Sequence, residues 1–158
     1  MKRKLYIAAP LFSQAEKTFN KRLKKALSPY FDVYLPQEDG KLIVNMLKNG
    51  ISFSAASKEI FKNDIETIRK TDILLIVLDG RNVDEGASVE LGYAFCLGKQ
   101  CIGYSTDPRT LLPDGQNPMI SCCLETAVQN IKELLNYMHI NAPQTVSVSA
   151  KRAKVYKT

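Results

Sequence analysis

The order of apolar segments along this chain predicts a doubly wound α/β domain, with a mostly parallel sheet and helices on both faces. Three observations carry that prediction. Short β-branched runs alternate with stretches whose apolar residues recur about every four positions. One run, Ile73 to Leu78, is apolar without interruption, as a central parallel strand covered on both faces must be. Pro10, Pro36 and Gly98 stand where segments end. A chain of 158 residues is one domain by length and buries roughly 70% of its unfolded surface without staples.

Leu5 to Ala8 reads as the first strand, ended by Pro10. Gln14 to Leu27 follows as a helix, with Ala15, Phe19, Leu23 and Leu27 on one stripe. Phe31 to Leu35 is the second strand, closed by Pro36. From Gln37 to Phe53 the periodicity is weak, and the stretch reads as a loop with a short helix in it, a lid or wall for a site. Ser57 to Lys70 is the next helix, and its inward stripe of Ile60, Asp64 and Ile68, flanked by Phe61 and Ile65, includes a carboxylate. A carboxylate on an apolar stripe costs free energy unless it is paired or faces a cavity, so Asp64 is a site candidate.

The third strand (Ile73 to Leu78), a helix from Ala87 to Leu97 capped by Gly98, and a fourth strand (Cys101 to Tyr104) form a βαβ unit. Asp107 to Pro118 carries Pro108, Pro113, Gly115 and Pro118 and reads as a loop. Thr126 to Met138 is the last helix. The domain is expected to span residues 1 to 140, and residues 141 to 158 to form a basic tail without core-forming periodicity.

Charge and cysteine usage narrow the function classes. Lys151, Arg152, Lys154 and Lys157 supply four of the net +6, leaving +2 on residues 1 to 140. A body so mildly charged argues against a nucleic-acid face. Cys96, Cys101, Cys122 and Cys123 lack a paired C-x-x-C metal pattern and read as free, buried thiols of a reducing compartment. His139 is the only histidine, so neither Ser-His-Asp nor Cys-His catalysis is available, and no metal is expected. Met1-Lys2-Arg3-Lys4 leads straight into a strand and no run of 18 apolar residues occurs. The expected location is therefore the cytoplasm, with no membrane partner.

The segment Asp84-Glu85-Gly86-Ala87-Ser88-Val89-Glu90-Leu91-Gly92-Tyr93-Ala94 places two carboxylates six residues apart where a buried strand turns into a helix. Open α/β sheets bind ligands at the carboxyl ends of their strands. Glu90 is expected in the first turn of the helix, where the positive end of the dipole favours an ionised carboxylate, as a nucleophile requires. The first strand is followed by neither G-x-G-x-x-G nor G-x-x-x-x-G-K-S/T, so no dinucleotide or P-loop site is expected, and no cofactor.

Five segments in order, LYIAAPLFSQAE, LPQEDG, NDIETIRKTD, the D-x-G-x-x-x-E-L-G-Y-A turn and NPM, make residues 4 to 138 resemble the nucleoside 2-deoxyribosyltransferase family. The resemblance implies a flavodoxin-like core and transfer of a 2-deoxyribosyl group between nucleobases, with Glu90 as nucleophile, a covalent glycosyl-enzyme and retention of configuration. It further implies that Tyr6 orients the nucleophile, that Asp64 bonds or protonates the leaving base, and that Asp84 binds a deoxyribose hydroxyl. Gly86 lies in the same turn and joins the substrate-binding set. Asn117 matches a residue supplied by a neighbouring subunit to the sugar 5'-hydroxyl, which implies a homo-oligomer, a dimer or hexamer. Gln37 offers an amide that can read a base edge.

The chain departs from the family in having Ala9-Pro10 where many relatives have Gly-Pro, and in its longer tail. The partners expected are deoxynucleosides and nucleobases. Two alternatives compete with exchange. One is hydrolysis of deoxynucleosides or their 5'-monophosphates, whose enzymes carry serine where this chain has Asp84. The other is a non-catalytic nucleoside sensor, which would have no use for an aimed nucleophile.

Overall fold

A computed structural model describes residues 1–80, 82–107 and 117–140. Among these residues five strands form one parallel sheet in the order β2-β1-β3-β4-β5, from β1 (Lys4–Ala8), β2 (Asp32–Tyr34), β3 (Ile73–Val77), β4 (Gln100–Tyr104) and β5 (Thr126–Val128). The helices are α1 (Gln14–Leu27), α2 (Pro36–Asp39), α3 (Ile43–Lys48), α4 (Phe53–Lys70), α5 (Glu85–Cys96), α6 (Pro118–Ser121) and α7 (Ile131–Tyr137). The doubly wound arrangement is therefore as the sequence predicts.

Strand alternation divides the core in two. Leu5, Ile7, Ile73, Leu75 and Val77 face one way and pack with Leu23 and Leu27 of α1 and Leu134 and Leu135 of α7. Tyr6, Ala8, Leu74 and Ile76 face the other way and pack with Ile68 of α4 and Ala87, Leu91 and Ala94 of α5. Every residue of β3 is buried, as its uninterrupted apolar run requires. β1 pairs with β2 through Tyr6 and Tyr34 and with β3 through Tyr6 and Leu74. The chain leaves β1 toward one face and β3 toward the other, which opens a crevice at their carboxyl ends.

Side-chain caps fix the helix starts that border this crevice. Ser13 and Glu16 form a reciprocal capping box on α1. Asp84 caps α5 by accepting from the Ala87 amide at 2.8 Å. After α5, Gly98 adopts a φ of +67°, the left-handed conformation that ends helices and that glycine takes without strain.

The structure moves several expected boundaries. Thr126 to Met138 is not one helix: Thr126–Val128 is the edge strand β5, and α7 begins only after the Asn130 cap. Asn130 accepts from the Glu133 amide while Glu133 accepts from the Gln129 amide, at 2.9 and 2.7 Å. Gln37 to Phe53 contains most of α2 and the whole of α3 rather than one short helix. α4 starts at Phe53, four residues before Ser57, with Ser52 as its cap. All four cysteines are free, but only Cys101 is buried, and Cys96 and Cys122 are exposed.

The tail from 141 and most of the Asp107 to Pro118 loop lie outside the described residues. Among the described residues no helix is long and apolar enough to cross a membrane.

The sheet leaves no room at Gly103 in β4. A Cβ there would meet Leu78 Cδ1 at 2.8 Å, Leu124 Cδ1 at 3.0 Å and the Ala127 Cβ at 3.2 Å. Gly103→Ala is expected to destabilise the domain by about 1–3 kcal/mol through overpacking. Thermal or denaturant unfolding measures it, and an unchanged midpoint would show that the β4–β5 layer has slack.

Candidate active site

The crevice is a cavity of about 920 Å³ between α1, the α2–α3 segment, α4 and the start of α5. Its wall is mostly apolar, with Leu11, Ile43, Val44, Ile60, Ile65 and Val89 among the lining residues. The Ile60 and Asp64 stripe of α4 therefore faces the cavity, and of that stripe only Ile68 reaches the core. Phe61, expected beside the inward stripe, is 62% exposed, at the cavity edge. The α2–α3 segment contributes Pro36, Gln37, Leu42, Ile43 and Val44, so it is a wall of the cavity as the sequence suggests.

Glu90 lines the cavity together with Asp64 and Gly86. It sits on α5 one turn from Ala87 and Ala94, at the border of the buried stripe, and so points toward the sheet. Tyr6, fully buried in β1, donates its hydroxyl to Glu90 Oε1 at 2.6 Å. The residues that meet here are 84 positions apart in sequence.

The electrostatics differ from the expectation. α5 starts at Glu85, so Glu90 is in the second helical turn, beyond the reach of the dipole's first-turn effect. Burial pushes its carboxyl up to about 8; the Tyr6 hydrogen bond opposes that rise, and the charges of Asp64 and Asp84 add to it. The Tyr6 hydroxyl, rather than the helix end, is what favours the ionised form. Burial and the nearby Glu90 charge hold the Tyr6 phenol far above its ordinary range, so it remains a proton donor to the carboxylate. Burial also raises the Asp64 carboxyl, against a lowering contact from Asn63. That direction suits a proton donor.

The other expected residues are placed less simply. Asp84 does not line the cavity: Oδ1 is engaged as the α5 cap, although its charge is felt at Glu90. Gln37 lines the cavity, but its Oε1 accepts from Asn20 at 3.1 Å and its Nε2 donates to the Lys17 carbonyl at 3.0 Å. These bonds tie α2 to α1. Asn117 is exposed, caps α6 by accepting from the Met119 amide at 2.9 Å, and is not among the lining residues.

Two residues outside the expected set join the centre. Tyr34 stacks on Tyr6 with ring centroids 5.4 Å apart and planes 19° apart. Asn63 donates to the Tyr34 hydroxyl at 2.7 Å. Tyr34 directly precedes the quoted LPQEDG and Asn63 opens the quoted NDIETIRKTD, but neither the pairing across strands nor the approach from α4 leaves a local sequence signal. Among the described residues no group of three or more His, Cys, Asp or Glu is placed to hold a metal.

Comparison with known proteins agrees with this architecture. A conserved protein from Enterococcus faecalis is 27% identical, with a TM-score of 0.69 over 88% of this chain and 98% of its own. A 2-deoxyribosyltransferase from Bacillus psychrosaccharolyticus is 28% identical, with a TM-score of 0.68 over 85% and 91% of the two chains. The 2-deoxyribosyltransferase from Leishmania mexicana, 21% identical with a TM-score of 0.60 over 86% and 96%, shares the fold. An uncharacterised protein of Ureaplasma parvum is 34% identical over 99 residues, a match that spans 61% of each chain. The family profile described as nucleoside 2-deoxyribosyltransferase matches residues 5–138. With that match over most of its length, the chain belongs to the nucleoside 2-deoxyribosyltransferase family.

Proposed function

We propose that the protein exchanges the nucleobase of 2'-deoxynucleosides through a covalent glycosyl-Glu90 intermediate. The observation that carries this reading is the Glu90 carboxylate held at 2.6 Å by a buried tyrosine, on the wall of a cavity that Asp64 also lines. A cavity of about 920 Å³ has room for a deoxynucleoside.

In the first step Glu90 attacks the anomeric carbon. The C–N glycosidic bond breaks, its electron pair leaves with the base, and Asp64 supplies the proton that neutralises the leaving nitrogen. The absent 2'-hydroxyl eases the oxocarbenium-like transition state. In the second step the nitrogen of an incoming base attacks the same carbon, the ester to Glu90 opens, and the proton on that nitrogen returns to Asp64. Two displacements retain the β configuration. Asp84 and Gly86 stand at the turn where the sugar would lie, and a carboxylate at position 84 favours a neutral 5'-hydroxyl over a 5'-phosphate through like-charge repulsion. Asn117, exposed in one chain, fits a contribution from a second copy in a homo-oligomer.

Incubation with deoxyinosine or thymidine, with and without adenine, followed by chromatography, tests the reading. Deoxyadenosine formed only when adenine is present supports exchange. Free base released at the same rate without an acceptor would replace exchange by hydrolysis.

A further inference from the structure

We propose that Tyr34 and Asn63 are positioning residues that orient both reacting carboxylates through one chain of contacts: Glu90, Tyr6, Tyr34, Asn63, Asp64. The inference rests on the exchange reading of the same site. Conjugation keeps the Tyr6 O–H bond in the plane of its ring, so the tilt of that ring sets the plane in which the proton can be offered to Glu90. That ring lies against Tyr34, its direct partner across the β1–β2 pairing. β2 is an edge strand among the described residues, where no further strand holds Tyr34 in place. Asn63, from α4, holds it instead by donating Nδ2 to the phenolic oxygen at 2.7 Å. The same Nδ2 lies 3.5 Å from Asp64 Oδ1.

The surroundings close this link from above. A Cβ at Gly40 would meet the Pro36 carbonyl oxygen at 2.5 Å and the Tyr34 hydroxyl at 3.1 Å. The Pro36 carbonyl is what requires glycine here, and the Tyr34 hydroxyl lies close beside the same turn. Packing alone would account for the aromatic ring of Tyr34. It does not account for a half-buried hydroxyl tied to the same amide that reaches Asp64, the carboxylate on the cavity wall.

The test compares Tyr34→Leu, Tyr34→Phe and Asn63→Ala with wild type in the base-exchange assay, with thermal unfolding in parallel. Tyr34→Leu is expected to lower kcat by about tenfold or more while KM changes less than about threefold, because misaim of a bound group costs rate rather than affinity. Tyr34→Phe keeps the stacked ring but loses the phenolic oxygen that Asn63 holds, so it should recover only part of the loss. Asn63→Ala should lower kcat and move the high-pH limb of the rate profile upward, because the contact that lowers the Asp64 carboxyl is gone.

Should Tyr34→Leu fail to unfold cooperatively, Asn63→Ala decides alone. Unchanged kcat and an unchanged pH profile in that variant would overturn the proposal. Wild type without turnover sinks the exchange reading and this inference with it; an active wild type with indifferent variants sinks the inference only.

Discussion

Glu90→Gln is expected to lose turnover by at least about a hundredfold, the lower end of what removing a positioned catalytic group costs, and yet to be more stable than wild type at alkaline pH. The amide keeps the size of the carboxyl and an oxygen to accept from Tyr6, but it cannot form the glycosyl ester. The stability gain follows from the burial that pushes the Glu90 carboxyl up to about 8 from an ordinary 4.5. Between those values the folded chain holds a proton that the unfolded chain releases, so wild-type stability falls as pH rises across the window and the loss is complete above it. At about 1.36 kcal/mol per unit, the penalty is at most a few kcal/mol. Glutamine has no proton to lose, so its advantage should be small near pH 5 and largest near pH 9. Urea unfolding at both pH values, beside steady-state rates, measures the two effects. A variant retaining more than about a hundredth of the rate would place the nucleophile elsewhere.

Tyr6→Phe should cost about 10- to 100-fold in turnover, the range of a positioned proton donor or oxyanion partner, with little change in fold because the ring stays stacked on Tyr34. The lost bond is the contact that lowers the Glu90 carboxyl. The rate rises with pH as Glu90 ionises, so the low-pH limb of the kcat/KM profile should move to higher pH in the variant. An unmoved limb, measured from pH 5 to 9, would show that Tyr6 does not set the ionisation of the nucleophile.

How much of this was readable beforehand follows the strength of local signals. β1, β3, α1 and α5 rest on long or uninterrupted patterns, and they were legible with boundaries off by a residue or two. β5 was not: Thr126-Ala127-Val128 is three residues long, and its apolar side chains blend into the periodicity of α7. The Asn130 and Glu133 pair three residues apart was the available sign that the helix starts later. Glu90 and Asp64 were found because each sits where a local rule is broken or a strand ends. The sequence places Glu90 in a first turn because the apolar pattern starts the helix at Ala87, whereas the Asp84 cap starts α5 at Glu85. Tyr34 and Asn63 were missed because what makes them matter is register across strands and an approach from α4, neither of which any short stretch records.

The alternation along β1 has one more consequence. Leu5 and Ile7 belong to one core and Tyr6 to the other, beside Glu90. A slip of β1 by a single residue would carry Tyr6 to the wrong layer and bring a leucine or isoleucine against Glu90. Under the proposed mechanism a misthreaded molecule would turn over poorly even if it remained compact, and turnover per mole of refolded chain would count the molecules whose first strand has found its proper alignment.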